Sequence, residues 1–163
     1  MRCSFVAPRT EANRAVVTVE LALIAPLFLF LLLGIVELGW LASDKIVLKM
    51  AAREGARAAA LGAATSQIAE RVQQRAPGLD PQRLSIVAEY RISSAEGEWS
   101  EWVLLEDVQS EDGETNNAPS GAQVRVSLSY AHEILIPGLF GFLTDEGRPG
   151  VCTLQASGVM RRE

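Results

Sequence analysis

Few side chains in this sequence could do chemistry, and their types and spacing argue against catalysis. The single histidine, His132, follows an alternating stretch that ends at Tyr130, and it reads as a strand-end surface residue and not as a general base. Cys3 and Cys152 lack the spacing of a metal site. No serine stands in a nucleophile elbow, and no glycine-rich phosphate loop occurs. Asp107, Glu111, Asp112 and Glu114 are acidic neighbours, but they do not fit the spacing of a calcium loop. The sequence therefore predicts no enzyme, no cofactor and no metal. What remains are two carboxylates, Glu20 and Glu37, in an otherwise apolar stretch where a charge is costly.

The element that carries them is a membrane span. From Leu21 to Val36 there is no polar side chain, and the apolar run reaches Trp40 apart from Glu37. A helix over residues 16–40 is about 37 Å long, enough to cross a hydrocarbon core of about 30 Å. Glu20 and Glu37 lie about 25 Å apart along it, near opposite interfaces. Glu37 reads as a carboxylate snorkelling into headgroups. The run is longer than the roughly 7–15 residues of a secretory signal, and Leu41-Ala42-Ser43 has Leu where a small residue is wanted for cleavage.

The net charge of −5 is unevenly spread: residues 1–15 carry +2, the span −2 and the remainder −5. An acidic soluble part argues against nucleic acid as a partner, since phosphate binding needs clustered Lys and Arg. The two cysteines fall on opposite sides of the span and cannot pair within one chain. Arginines precede the span and Lys45, Lys49, Arg53 and Arg57 follow it, so counting charges leaves the orientation open.

Residues 1–14 read as a disordered leader. Beyond Trp40 nothing breaks the helix until Gly55, so it continues out of the membrane. Two rows of small residues, Ala51-Gly55-Ala59-Ala63 and Ala52-Ala56-Ala60-Ala64, recur every fourth position and make a face that another backbone can approach closely. Gly55 costs about 1 kcal/mol relative to Ala inside a helix, which points to close packing. Arg53, Glu54 and Arg57 can pair along the helix or with a neighbour. Gly62 ends or bends this helix, and a shorter one starts at Thr65 with Ile68 and Val72 on one side.

From Leu84 the period changes to two, and Leu84, Ile86, Ala88, Tyr90 and Ile92 face one way. Ser94–Gly97 reads as a turn, Trp99–Val108 as a second strand with Trp102 or Leu104 inward, and 107–117 as a loop. Ala122–Tyr130 alternates most clearly. Ile134–Leu143 is broken by Pro137, Gly138 and Gly141 and reads as a loop tucked against the sheet or the membrane. Val151–Met160 is the last strand, with Cys152, Leu154, Ala156 and Gly158 inward. The expected fold is α+β: a long N-terminal transmembrane helix, a short helix and an antiparallel sheet of about four strands. The expected divisions are 1–15, a leader; 16–40, the span; and 41–163, an α+β domain outside the membrane.

Two stretches resemble a known family. A basic leader, a junction at Ala15-Val16, four small or apolar residues and Glu20 in fifth place resemble the type IV pilin superfamily, and specifically the TadE-like proteins of tight-adherence (Flp) pilus systems. Ala51 to Arg57, Ala-Ala-Arg-Glu-Gly-Ala-Arg, is very similar to a run that TadE-like proteins carry at this distance after the membrane helix. The resemblance implies cleavage between Ala15 and Val16 by a prepilin peptidase, although the superfamily usually has Gly where this sequence has Ala15. It implies that Glu20 acts in assembly, its carboxylate neutralising the new ammonium of Val16 on the same or a neighbouring subunit. It places the leader in the cytoplasm, the span in the bacterial inner membrane and the domain in the periplasm. The implied partners are other pilin or pseudopilin subunits and pilus-assembly proteins. The non-pilus alternative is an uncleaved single-pass membrane protein whose periplasmic domain binds or regulates an envelope partner.

Overall fold

The computed structural model describes residues 9–94, 97–110 and 113–163, with side chains described from Val16 onward. The chain forms two compact units, one up to Gly39 and one over Trp40–Glu163. Helix α1, Arg9–Ala60, contributes to both. It begins before Val16, so residues 9–14, expected to be disordered, are helical; residues 1–8 lie outside the described residues. In the first unit the apolar side chains from Val16 to Ile24 are exposed, as suits a helix whose solvent is lipid. Pro26 lies within this helix, and its missing N–H removes one intrahelical bond.

In the second unit α1 is followed by α2 (Thr65–Arg75), a 3-10 turn (Pro81–Arg83) and six strands: β1 (Leu84–Arg91), β2 (Val103–Leu104), β3 (Asp107–Ser110), β4 (Gly113–Asn116), β5 (Gln123–Glu133) and β6 (Val151–Arg161). The main sheet has the order β2-β1-β5-β6 with every neighbour antiparallel. The α+β architecture with a four-stranded antiparallel sheet is the one the sequence pattern leads to. Alternation decides which face is buried: Val124, Val126 and Leu128 of β5 pack inward with Leu48, Ala52 and Ala56 of α1 and Ile68 and Val72 of α2.

Several local expectations are corrected. The strand expected over Trp99–Val108 shrinks to the two residues of β2, and the inward residue is Leu105; Leu104 is exposed, and Trp102 is half-buried among arginines. Within Asp107–Asn117, expected as a loop, Asp107–Ser110 and Gly113–Asn116 pair as the antiparallel β3–β4 ladder, residues 111–112 lying outside the described ones. Its purpose is visible in its contacts. The Asp107 carboxylate accepts from the Thr65 N–H at 2.7 Å and caps α2, whose own N-cap residue, Ala64, offers no side-chain acceptor. Asn116, buried, donates to the carbonyls of Ala59 and Ala63 at 2.9 Å each, satisfying the end of α1 where Gly62 takes φ +89°. Within Ile134–Leu143 the chain is not a plain loop: Pro137 opens a single helical turn, α3 (Pro137–Phe140), followed by a 3-10 turn. The turn expected at Ser94–Gly97 rests partly on residues 95–96, outside the described ones.

Candidate functional site

The first candidate is the carboxylate in the membrane helix. Val16 and Glu20 sit one turn apart on α1, and Val16, Val19 and Leu23 flank the Glu20 side chain. A carboxylate in that setting has few ways to be solvated. The Ala15 backbone is helical; its side chain is outside the described residues. Glu37, expected to snorkel at the surface of the helix, is instead 2% exposed.

The second candidate is the segment Ala51–Arg57. Ala51, Ala52, Gly55 and Ala56 are buried, Glu54 is half-buried, and Arg53 and Arg57 are exposed. Gly55 permits close approach: a Cβ added there would lie 2.7 Å from Val72 Cγ2 and 3.1 Å from Val126 Cγ1. Gly158 does the same from the sheet, where an added Cβ would meet the Ala52 carbonyl oxygen at 2.5 Å. Helix and strand thus touch backbone to backbone. Arg53, Glu54 and Arg57 form no ion pair with one another among the described residues. Glu54 and Arg57 instead line an open cleft of about 480 Å³ with Arg71 and Glu114. Its alternating charges suit recognition of a polar surface.

A third cluster was not legible in the sequence. His132, expected at the surface, is buried, and its Nδ1 lies 2.8 Å from Asp44 Oδ2. The ring turns inward because His132 continues the inward phase of β5, which runs on to Glu133 and does not stop at Tyr130. Cys152 faces His132 across the β5–β6 ladder. Burial pushes the Cys152 thiol up, Asp145 pushes it further and Lys45 opposes both. Lys45 Nζ also donates to the Gln155 carbonyl. Asp44 and Lys45 therefore fasten the stretch of α1 just beyond Trp40 to β5 and β6. A hint was available: the two adjacent charges of Asp44-Lys45 follow directly on the apolar run.

Among the described residues no three His, Cys, Asp or Glu side chains converge as metal ligands. No curated protein and no solved structure matches this chain. Residues 15–57, which carry Glu20 and the whole of Ala51–Arg57, match the family model of the TadE-like proteins.

Proposed function

We propose that the chain is a membrane-anchored pseudopilin or minor pilin needed for assembly of tight-adherence pili, structural and not catalytic. The observation that carries this reading is the extent of the TadE-like match, residues 15–57: it begins at the expected cleavage junction and ends on Arg57. One long apolar helix supports single-pass anchoring. On this reading a prepilin peptidase cuts between Ala15 and Val16 in the bacterial inner membrane. Glu20 then neutralises the Val16 ammonium, and the domain from residue 41 lies in the periplasm and meets other pilin or pseudopilin subunits.

The test is Glu20→Gln, nearly isosteric, in a deletion strain scored for surface pili and attachment. The variant should be made and inserted but should not restore piliation. Loss of the carboxylate leaves a charge at the membrane interface without its partner, at a cost of a few kcal/mol. Normal piliation would sink the role of Glu20.

A second reading draws on the helical backbone that runs unbroken through 9–16. In it the leader is retained and the domain binds an envelope partner. Intact-mass measurement of membrane-extracted protein separates the two: a terminus at Val16 supports the first, one at Met1 the second.

A further inference from the structure

Among the described residues no further strand pairs with the two edges of the main sheet, β2 and β6, and these edges are unlike one another. We propose that β6 of one copy accepts β2 of a second copy, so that the sheets of neighbouring chains join head to tail.

Each edge is closed at one end by its own chain. On β6, the Asp145 N–H donates to the Val151 carbonyl at 2.9 Å and the Asp145 carboxylate accepts from the Thr153 N–H at 2.9 Å. Lys45 Nζ takes the Gln155 carbonyl. Arg162 N–H bonds to the Ala122 carbonyl, which sets the phase of the ladder: Ser157 and Val159 turn their backbone groups to the open side. On β2, Leu105 N–H bonds inward to the Ala88 carbonyl, while Glu106 N–H is taken by Asn117 Oδ1. The backbone groups of Trp102 and Leu104 are left facing the open side. Two short open windows result, and an open window is a template for strand addition.

Direction and side chains agree. In an antiparallel four-strand order the first and last strands run opposite ways. A copy displaced sideways without rotation therefore presents β2 antiparallel to β6, and its stretch of α1 beyond Trp40 stays parallel to that of the first. Setting Leu104 opposite Val159 brings side chains that are 61% and 50% exposed together on one face. The same register sets Val103 (49%) opposite Met160 (37%) on the other face. All four are apolar.

Charge points to the same occupant. Lys49, Arg53 and Arg57 are exposed on one row of α1, and Gly158 packs against Ala52 and Arg53, so that row follows β6. The β2 segment carries Glu98, Glu101 and Glu106, all exposed and without a basic neighbour in sequence. A heterologous contact of this kind extends without closing. The inference rests on the second unit alone and holds whether or not the chain serves a pilus.

The test uses the full chain in membranes, with Cys3→Ser and Cys152→Ser as background. Val103→Cys combined with Met160→Cys should, on oxidation, give a ladder of dimers, trimers and larger species, while each single variant stays monomeric. Leu104→Cys with Val159→Cys probes the other face of the same register and must give the same ladder, so misfolding of one pair does not decide the matter. Arg53→Glu with Arg57→Glu should weaken the ladder at least about tenfold, and adding Glu98→Lys with Glu101→Lys should restore it. Absence of a ladder from both cysteine pairs overturns the proposal. So does a dimer from Met160→Cys alone, which would mean that two β6 edges meet each other.

Discussion

His132 Nδ1 lies 2.8 Å from Asp44 Oδ2, and this pair ties the helix beyond Trp40 to the far end of β5. Asp44→Ala removes the acceptor from a buried ring nitrogen and should cost about 1–3 kcal/mol. Asp44→Asn keeps a hydrogen-bonding group and should cost less. Unfolding of the full chain in detergent, followed by tryptophan fluorescence, checks both; equal stability of wild type and Asp44→Ala would show the pair to be idle.

Gly158→Ala should be more damaging than Gly55→Ala. At Gly158 the added carbon meets backbone, Ala52 O at 2.5 Å and Ala52 C at 2.8 Å, which no rotamer change relieves. We expect about 1–3 kcal/mol of destabilisation there. At Gly55 the clash is with the Val72 and Val126 side chains, and the gain in helix propensity of about 1 kcal/mol offsets part of it. Paired melting curves settle the order.

Cys152 should alkylate slowly near neutral pH. Its pKa is raised by burial and then by Asp145, so less thiolate is present at a given pH than in an ordinary cysteine, and the rate climbs only above the usual thiol range. Asp145→Asn removes the charge that raises the thiol pKa while keeping an acceptor for Thr153, and should speed labelling. Lys45→Gln removes the opposing charge and should slow it. Rates measured against pH in a Cys3→Ser background are the readout, and a rate insensitive to both substitutions would count against this account.

Trp102 holds β2 in place. Arg125 and Arg91 stack on its ring at 4.0 and 4.5 Å, and Arg125 pairs with Glu89 at 2.6 Å. With only two ladder residues in β2, the stack supplies much of its hold, so Trp102→Ala should cost about 1 kcal/mol or more. Amide exchange should quicken at Val103 and Leu105 while β5 and β6 stay protected.

The parts of the fold legible in the sequence are those where a local pattern and the tertiary outcome agree. Val124, Val126 and Leu128 alternate and are buried; Ile68 and Val72 share a helix face and are buried; Gly62 ends the helix that it punctuates. The illegible parts depend on distant partners. Nothing in Asp107–Asn117 announces a ladder, because Asp107 is held by Thr65 and Asn116 by the end of α1. His132 reads as surface until β5 is known to run on to Glu133 and Asp44 is brought beside it. At the candidate site, Ala51–Arg57 was conspicuous by composition, whereas its opposite number, Gly158, looked like one more residue in a strand.

The contact between Ala52 and Gly158 also sets a clock. The two residues stand roughly a hundred positions apart, so at about 5–20 residues per second the helix emerges from the ribosome some 5–20 seconds before the strand that covers it. During that interval the alanine face has no β6 beneath it, and the sheet lacks the neighbour that completes β5. A chain truncated ahead of β6 should therefore keep the alanine face of α1 bare and be cut faster by added protease than the full chain.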